Sequence, residues 1–450
     1  MVFHPRDPQH RTFSRRDFLR RSLASGVALP TSAAILAACG GGGATPEEGG
    51  EDTVPRFGTP ADPVTLQTYD DNPTIDSNLE PEAGPLVIYN WEQYFWKYVL
   101  KAFGKKYGVE VKYETFYNME QAIQKFQTGE VTYDVFFPTI DYLPKLVAAK
   151  LIQPLNHDYL PNITNLWPSL QDPYYDKGSL YSLPYTIYTT GIGWRTDILP
   201  VETSDLQSMD NPYEIFWKAP DFNPDIPGKV GVYDAYREAL ALGLYRDSGA
   251  DADISTSDPA AITSAKDNLI ELNDLVDVKT TIDGAYAGIP EGKFGLHQSW
   301  SGDMQATPWY TSDPKEEAPL LRYYWPARDG KGGTIDNDLY AIPTNAKNPV
   351  LAHLFLNYMM DELNAIKNWS WVGYQVPFTA VNTDTIFEKD YPGLKGWFVW
   401  DYKAPPGKSW DNLKSTLVTQ EDFDLGERAI GLPVDVDTVW QDAFADFKAG

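Results

Sequence analysis

The sequence predicts an α/β fold whose sheet opens with parallel strands, on three successive observations. Leu86-Val87-Ile88 is a short apolar strand, followed by a helical pattern of Trp91, Phe95, Tyr98, Val99 and Phe103. Val109 to Phe116 alternates at period two, as a half-buried strand does, and leads to Asn118 as a helix cap, with Gln121 three residues on. Tyr133-Asp134-Val135-Phe136-Phe137 is then a third strand, apolar on both faces. Strands separated by helices in this order pair in parallel. Trp91 and Tyr94 stand where the first strand ends and its helix begins, the edge of such a sheet at which ligands bind. Helix-start amides invite an anion, whereas two ring faces suit a cation. The competing role for both rings is simple core packing.

The N-terminus reads as an export address. Ser14-Arg15-Arg16-Asp17-Phe18-Leu19-Arg20 resembles a twin-arginine signal, and the apolar run from Leu23 to Ala38 is broken at Pro30. It ends in Leu36-Ala37-Ala38-Cys39, small residues before the only cysteine of the chain. The expectation is a signal peptide over 1–38, lipidation of Cys39, and a flexible tether over 39–84, a stretch rich in Gly, Pro, Glu, Asp and Thr. With one cysteine, no disulfide staples the chain. Beyond the signal no apolar run reaches 18 residues, so the lipid is the sole expected membrane contact. At 450 residues the chain has length for two to three domains, and its aromatic fraction of 14% is high. A formal net charge of −26 argues against nucleic acid and anionic lipid as partners.

Further elements follow in order. Pro138-Thr139-Ile140-Asp141-Tyr142 is the loop after the third strand, and a helix runs on to Leu151. Tyr185 to Trp194 is a β-branched and aromatic run. Lys229 to Tyr233 is a strand followed by Asp234 and a helix, and Asp258-Pro259 opens another helix with proline at its first position. Phe294 to Trp300 is a strand ending in Trp300-Ser301-Gly302-Asp303. Asn337 to Pro343 is strand-like, Asn348-Pro349 opens a helix, and Val372-Gly373-Tyr374 follows it.

The segments IYNWEQY (88–94), YDVFFPT (133–139), LIQPLNHDYLPNITNL (151–166) and SLPYTIYTTGIGW (182–194) resemble, in order, the signatures of the periplasmic spermidine/putrescine-binding proteins, the solute receptors of polyamine ABC transporters. The resemblance runs from about residue 80 to about 380. It implies a two-lobed periplasmic-binding-protein fold of type II, each lobe a mostly parallel sheet flanked by helices, with ligand held in the cleft between them. The lobes would comprise 85–192 with 320–376, and 193–319 with 377–450. The resemblance further implies a monomer that delivers a polyamine to the subunits of an ABC permease. It matches Trp300, Asp303, Asp338, Asp234, Thr139 and Tyr374 to ligand-facing positions. Bland alternatives stand beside them: Asp303 as a turn residue, Asp234 as a helix N-cap, Trp300 and Tyr374 as core. Three departures stand out. Arg237 occupies the place of a second acid, with Glu238 one residue later; Asp141 and Asp336 each replace an aromatic ring.

Chemistry supports the same ligand class. A polyamine carries an ammonium at each end, so its burial requires carboxylates at the ends and rings or apolar walls between them. Trp91, Tyr94, Thr139, Asp141, Asp234, Glu238, Trp300, Asp303, Asp336, Asp338 and Tyr374 are therefore the candidate ligand set. No cofactor and no metal is expected. The competing functions are a receptor for another cationic or small solute and a secreted hydrolase using paired carboxylates. Against the hydrolase, neither Gly-x-Ser-x-Gly nor His-Glu-x-x-His occurs, and past the signal only His157, His297 and His353 remain.

Overall fold

Among the described residues nine strands form one mixed sheet, in the order β2-β1-β3-β9-β4-β7-β5-β6, with β8 also paired to β4. The computed structural model describes residues 55–128, 132–311, 318–381, 415–423 and 425–450. The signal peptide, Cys39 and the first part of the tether lie outside the described residues. The strands are β1 (Leu86–Trp91), β2 (Val111–Phe116), β3 (Val135–Phe136), β4 (Ser182–Arg195), β5 (Val230–Val232), β6 (Lys279–Thr280), β7 (Leu296–Trp300), β8 (Leu321–Tyr324) and β9 (Thr334–Ala341). The helices that matter below are α1 (Lys97–Tyr107), α2 (Met119–Thr128), α3 (Leu143–Ala148), α4 (Tyr236–Ser248), α5 (Pro259–Val276), α6 (Ser301–Tyr310), α7 (Pro349–Met359), α8 (Glu362–Val372) and α9 (Val434–Ala449).

The parallel start is as predicted: β1 pairs in parallel with β2 on one side and β3 on the other. A second parallel set, β6-β5-β7, forms the other end of the sheet. The two parallel sets are joined at the centre by antiparallel pairings of β4 with β7, β8 and β9. The physical cause is the length of β4. Its 14 residues span about 46 Å, enough to leave one lobe and enter the other without a break. Its sequence sustains this, since β-branched and aromatic residues suit a strand buried along nearly its whole length.

Local signals account for several boundaries. Asn118 Oδ1 accepts from the Gln121 amide at 2.8 Å, and Gln121 Oε1 accepts from the Tyr117 amide at 3.0 Å, which together start α2. Asp258 accepts from the Ala260 amide at 3.0 Å and Pro259 takes the first position of α5. One boundary is displaced. The first helix begins at Lys97, β1 runs through Trp91, and Tyr94 sits in the turn between them.

Among the described residues, three clusters of buried side chains stand out. One gathers Leu86, Ile88, Phe103, Val135, Phe137, Tyr185, Phe355 and Trp369 around β1 and β3. A second gathers Trp194, Phe216, Val230, Val232, Leu240, Leu269, Leu296 and Trp440 around β5 and β7. Between them lies a smaller cluster with Ile187, Tyr233, Met304, Tyr323, Trp325 and Ile335. Trp300 packs against both the first and the middle cluster.

Residues 55–84 depart from the expected tether. Val64 and Leu66 are buried, and the Val64 amide and carbonyl bond to Tyr174 and Lys177. Asp71 pairs with Lys150, the Gln67 carbonyl accepts from Tyr181, and the Asp76 carbonyl from Tyr159. The few apolar residues of this stretch find ready grooves, and backbone pairing supplies the rest. Composition alone underestimates such a segment because it ignores the surface it lies on. Glu82 ends it by accepting from the Val350 and Leu351 amides at the start of α7. Glu82→Ala should cost about 1 kcal/mol of stability, as loss of a charged cap at a helix N-terminus does. Urea unfolding checks this, and an unchanged midpoint would contradict the capping role.

Candidate functional site

The site is built on β4 and β9. In their antiparallel register Thr186 faces Asp338, Tyr188 faces Asp336 and Thr190 faces Thr334. Residues two apart on a strand share a face, so Asp336 and Asp338 emerge on the same side as Tyr188. Thr139, in the loop after β3, bridges to Asp338 and donates to the Asp141 carboxylate. The Tyr94 hydroxyl bonds to Asp338 and lies 2.7 Å from Thr186 Oγ1.

From the other side, α4 brings Glu238 in its first turn, and the Trp300 indole N–H donates to Glu238 Oε1 at 2.9 Å. Asp303 lies in the first turn of α6, not in a loop. Its two oxygens accept from the Tyr233 and Tyr374 hydroxyls, each at 2.7 Å. Trp300 stacks on Tyr233 with centroids 3.7 Å apart. Tyr374 meets Tyr94 edge-on at 4.8 Å, and Tyr188 lies 6.2 Å from both Trp300 and Tyr374. The glycine of Trp300-Ser301-Gly302-Asp303 has a steric reason. A Cβ at Gly302 would run into the Tyr374 ring, and Gly373, at φ +82°, turns the chain so that Tyr374 can lie there.

Electrostatics sets these acids apart. Burial pushes the Asp338 carboxyl up to about 7; the Tyr94 hydroxyl opposes this, while Asp141 and Glu238 add to it. Burial likewise pushes Asp336 up to about 7, with Arg428 opposing and Asp141 and Asp338 adding. Asp303 also rises to about 7 through burial, against its two tyrosine hydroxyls. Burial raises Glu238, opposed by Trp300, the nearby Thr190 hydroxyl and Arg237. Tyr188 marks the centre. Its phenol is held far above its ordinary range by burial and then by Asp336, Asp338, Glu238 and Asp141.

The structure thus brings together Tyr94, Thr139, Asp141, Glu238, Trp300, Asp303, Asp336, Asp338 and Tyr374. It does not bring Asp234, whose carboxylate is bound 2.6 Å from Lys448 Nζ. Asp234 lies before the start of α4, and the acid of this segment that reaches the cluster is Glu238, in the helix's first turn. Trp91 is half-buried at the rim; its indole N–H donates to the Phe137 carbonyl at 3.1 Å and its ring leans on Phe116. Arg237 points elsewhere. Its guanidinium donates to the Ile430 and Ile254 carbonyls and to Ser255 and lies over Trp440. Sequence reasoning missed Tyr188 and Tyr233. Alternation along 185–194 could have grouped Thr186, Tyr188 and Thr190 on one face, but nothing local says that β9 lies opposite.

The model of the family described as bacterial extracellular solute-binding protein matches residues 99–396, about two-thirds of the chain. The chain belongs to this family. The solute-binding protein is 28% identical over 289 residues to spermidine/putrescine-binding periplasmic protein 1 of Haemophilus influenzae, covering 64% of this chain and 73% of that one. It is 27% identical over 296 residues to the spermidine/putrescine-binding periplasmic protein of Escherichia coli, covering 66% and 78%. A solved structure from Listeria monocytogenes, named as a candidate spermidine/putrescine ABC transporter, superposes with a TM-score of 0.63 at 25% identity over 81% of this chain and 98% of that one. The solute-binding protein is a transporter component rather than an enzyme, of a family found in the periplasm or outside the cell. Among the described residues no helix is long and apolar enough to cross a membrane.

Proposed function

We propose that this solute-binding protein captures a polyamine between its lobes and delivers it to the permease of an ABC transporter. The observation that carries the reading is the set of buried carboxylates walled by Tyr94, Tyr188, Tyr233, Trp300 and Tyr374. Burial raises four of the acids, so the site disfavours its own negative charge until a cation enters. Ring faces then receive the methylenes and add attraction for ammonium groups. The relatives named for spermidine and putrescine support the same ligand class. Separate core clusters around β1 with β3 and around β5 with β7 support a division near 192–193, while Phe378, Val381 and Leu417 in the first cluster favour placing that stretch with 85–192 and not with 193–319. Ligand contacts from both sides would coexist only when the lobes are together, so ligand shifts the population toward closure. The twin-arginine segment and Leu36-Ala37-Ala38-Cys39 support export and anchoring of a monomer by a lipid on Cys39, at the outer face of the cytoplasmic membrane.

Calorimetric titration of residues 45–450 with putrescine, spermidine, spermine, a neutral sugar, an amino acid and ferric citrate tests the reading. Saturable one-to-one heat is expected with polyamines only; silence with all three would sink it. The pH dependence carries a sign. Asp303, Asp336 and Asp338 are about half protonated near pH 7 when empty, and a bound cation favours their ionised forms. Binding should therefore release protons near pH 7. Affinity should fall at least about tenfold per pH unit below that, because one or more carboxylates must first ionise. Titrations in buffers of differing ionisation enthalpy measure the protons, and a flat affinity from pH 5 to 8 would contradict the assignment.

A further inference from the structure

The acids of the site are unevenly divided between its two ends. At one end Asp336 and Asp338 emerge from the same face of β9, roughly 6.6 Å apart along the strand. Asp141 raises both of them and Glu238, and all four carboxylates act on the Tyr188 phenol. At the other end Asp303 has Tyr233 and Tyr374 on its oxygens, and the charge that acts on it is Asp283. Trp300 joins the two, with its indole N–H on Glu238 and its ring on Tyr233.

Two arginines act on the crowded end, Arg428 on Asp336 and Arg237 on Glu238. Both direct guanidinium hydrogens to backbone carbonyls, those of Gly426 and of Ile430 and Ile254. They reduce the charge of that end without capping its carboxylates. In the ionised state that a bound cation favours, four acids against two arginines leave an excess of two negative charges there, and Asp303 contributes one at the far end. A second observation, independent of the charge count, points to a ligand at the crowded end. Among the described residues, Glu238 Oε2 is out of solvent and makes no close hydrogen bond; the hydroxyl that acts on Glu238 nearby is that of Thr190, itself only 5% exposed and without a close partner of its own. An acceptor of that kind is costly unless an N–H donor meets it.

We propose that the site selects polyamines with three or more cationic nitrogens over diamines, and that Asp141 and Asp336 determine this selectivity. The proposal rests on the polyamine reading and refines it. One terminal ammonium sits at Asp303, and an internal and a terminal ammonium share the crowded end. A diamine of the same chemistry leaves that end one cation short, with a carboxylate either unpaired or protonated.

The test is competitive calorimetry of putrescine, spermidine and spermine on the full chain in detergent, for the wild type and for Asp336→Asn and Asp141→Asn. Both substitutions keep side-chain volume and remove charge, so folding is retained, and a thermal melt verifies it. Wild type should bind spermidine at least about thirtyfold more tightly than putrescine. Each variant should lose about tenfold for spermidine and spermine while changing less than about threefold for putrescine. Equal losses for all three amines, or putrescine bound as tightly as spermidine by the wild type, would overturn the selectivity while leaving polyamine binding intact. No heat with any amine would overturn both the selectivity and the polyamine reading.

Discussion

Asp338→Asn is expected to weaken polyamine binding by more than about tenfold and, at pH 8, to make the ligand-free protein more stable. Both effects have one cause. The carboxylate is buried beside the Tyr94 hydroxyl with Asp141 and Glu238 near it, and its folded value of about 7 lies above the ordinary 3.8. For an acid with a raised folded value, the folded state holds more protons than the unfolded state between those two values. Its contribution to stability is thus full below about pH 4, declines as pH rises, and is lost above about 7. Asparagine, neutral throughout, removes that loss, on the order of a few kcal/mol at most for a shift of this size. It also removes the counter-charge for a bound ammonium. Thermal melts at pH 4.5 and pH 8 should show variant and wild type close together at the lower pH and the variant higher at the upper one. A variant less stable at pH 8 with unchanged affinity would mean that Asp338 serves the fold rather than the ligand.

The largest loss of stability is expected from Lys145→Met. Lys145 on α3 lies 2.8 Å from Asp437 on α9, and the two side chains are only 7% and 1% exposed. The Tyr236 hydroxyl donates to the second oxygen of Asp437 at 2.6 Å, and Lys145 also lies over the rings of Phe57 and Tyr142. Removing the lysine strands a buried carboxylate, which costs about 3–5 kcal/mol. Replacing both partners, Lys145→Met with Asp437→Leu, removes the stranded charge and should recover most of that loss. Chemical unfolding of the single and double variants decides it. A double variant no better than the single would show that packing, not charge, sets the effect.

Much of the frame was legible because its signals are local. Asn118 with Gln121, and Asp258 with Pro259, state their helix starts within four residues. The early strands state themselves by alternation. Asp303 and Asp338 were legible through the motifs around them. What escaped depends on distant partners. The two ends of the sheet join through β4 because its fourteen residues meet strands from both ends, and no window of sequence contains that fact. Tyr188 acquires its role from Asp336, which is 148 residues away. Asp234 misled because it lies just ahead of α4, where it meets Lys448 instead of the cluster, while Glu238 in the first turn faces inward. Asp141 and Asp336 looked ambiguous for the same reason: an acid on a strand or loop is solvated or buried according to what lies across from it.

The run of residues 55–84 along the protein surface changes the length of the leash. With a lipid on Cys39, forty-six residues of free chain could have let the body drift roughly 160 Å from the bilayer, at about 3.5 Å per residue. Because Val64 is pinned at Tyr174 and Lys177, and Glu82 at α7, such a leash would end by Val64, with a contour from Cys39 of at most roughly 90 Å. A receptor so anchored would be held closer to the membrane, and the shorter leash would raise its effective concentration at any permease in the same bilayer.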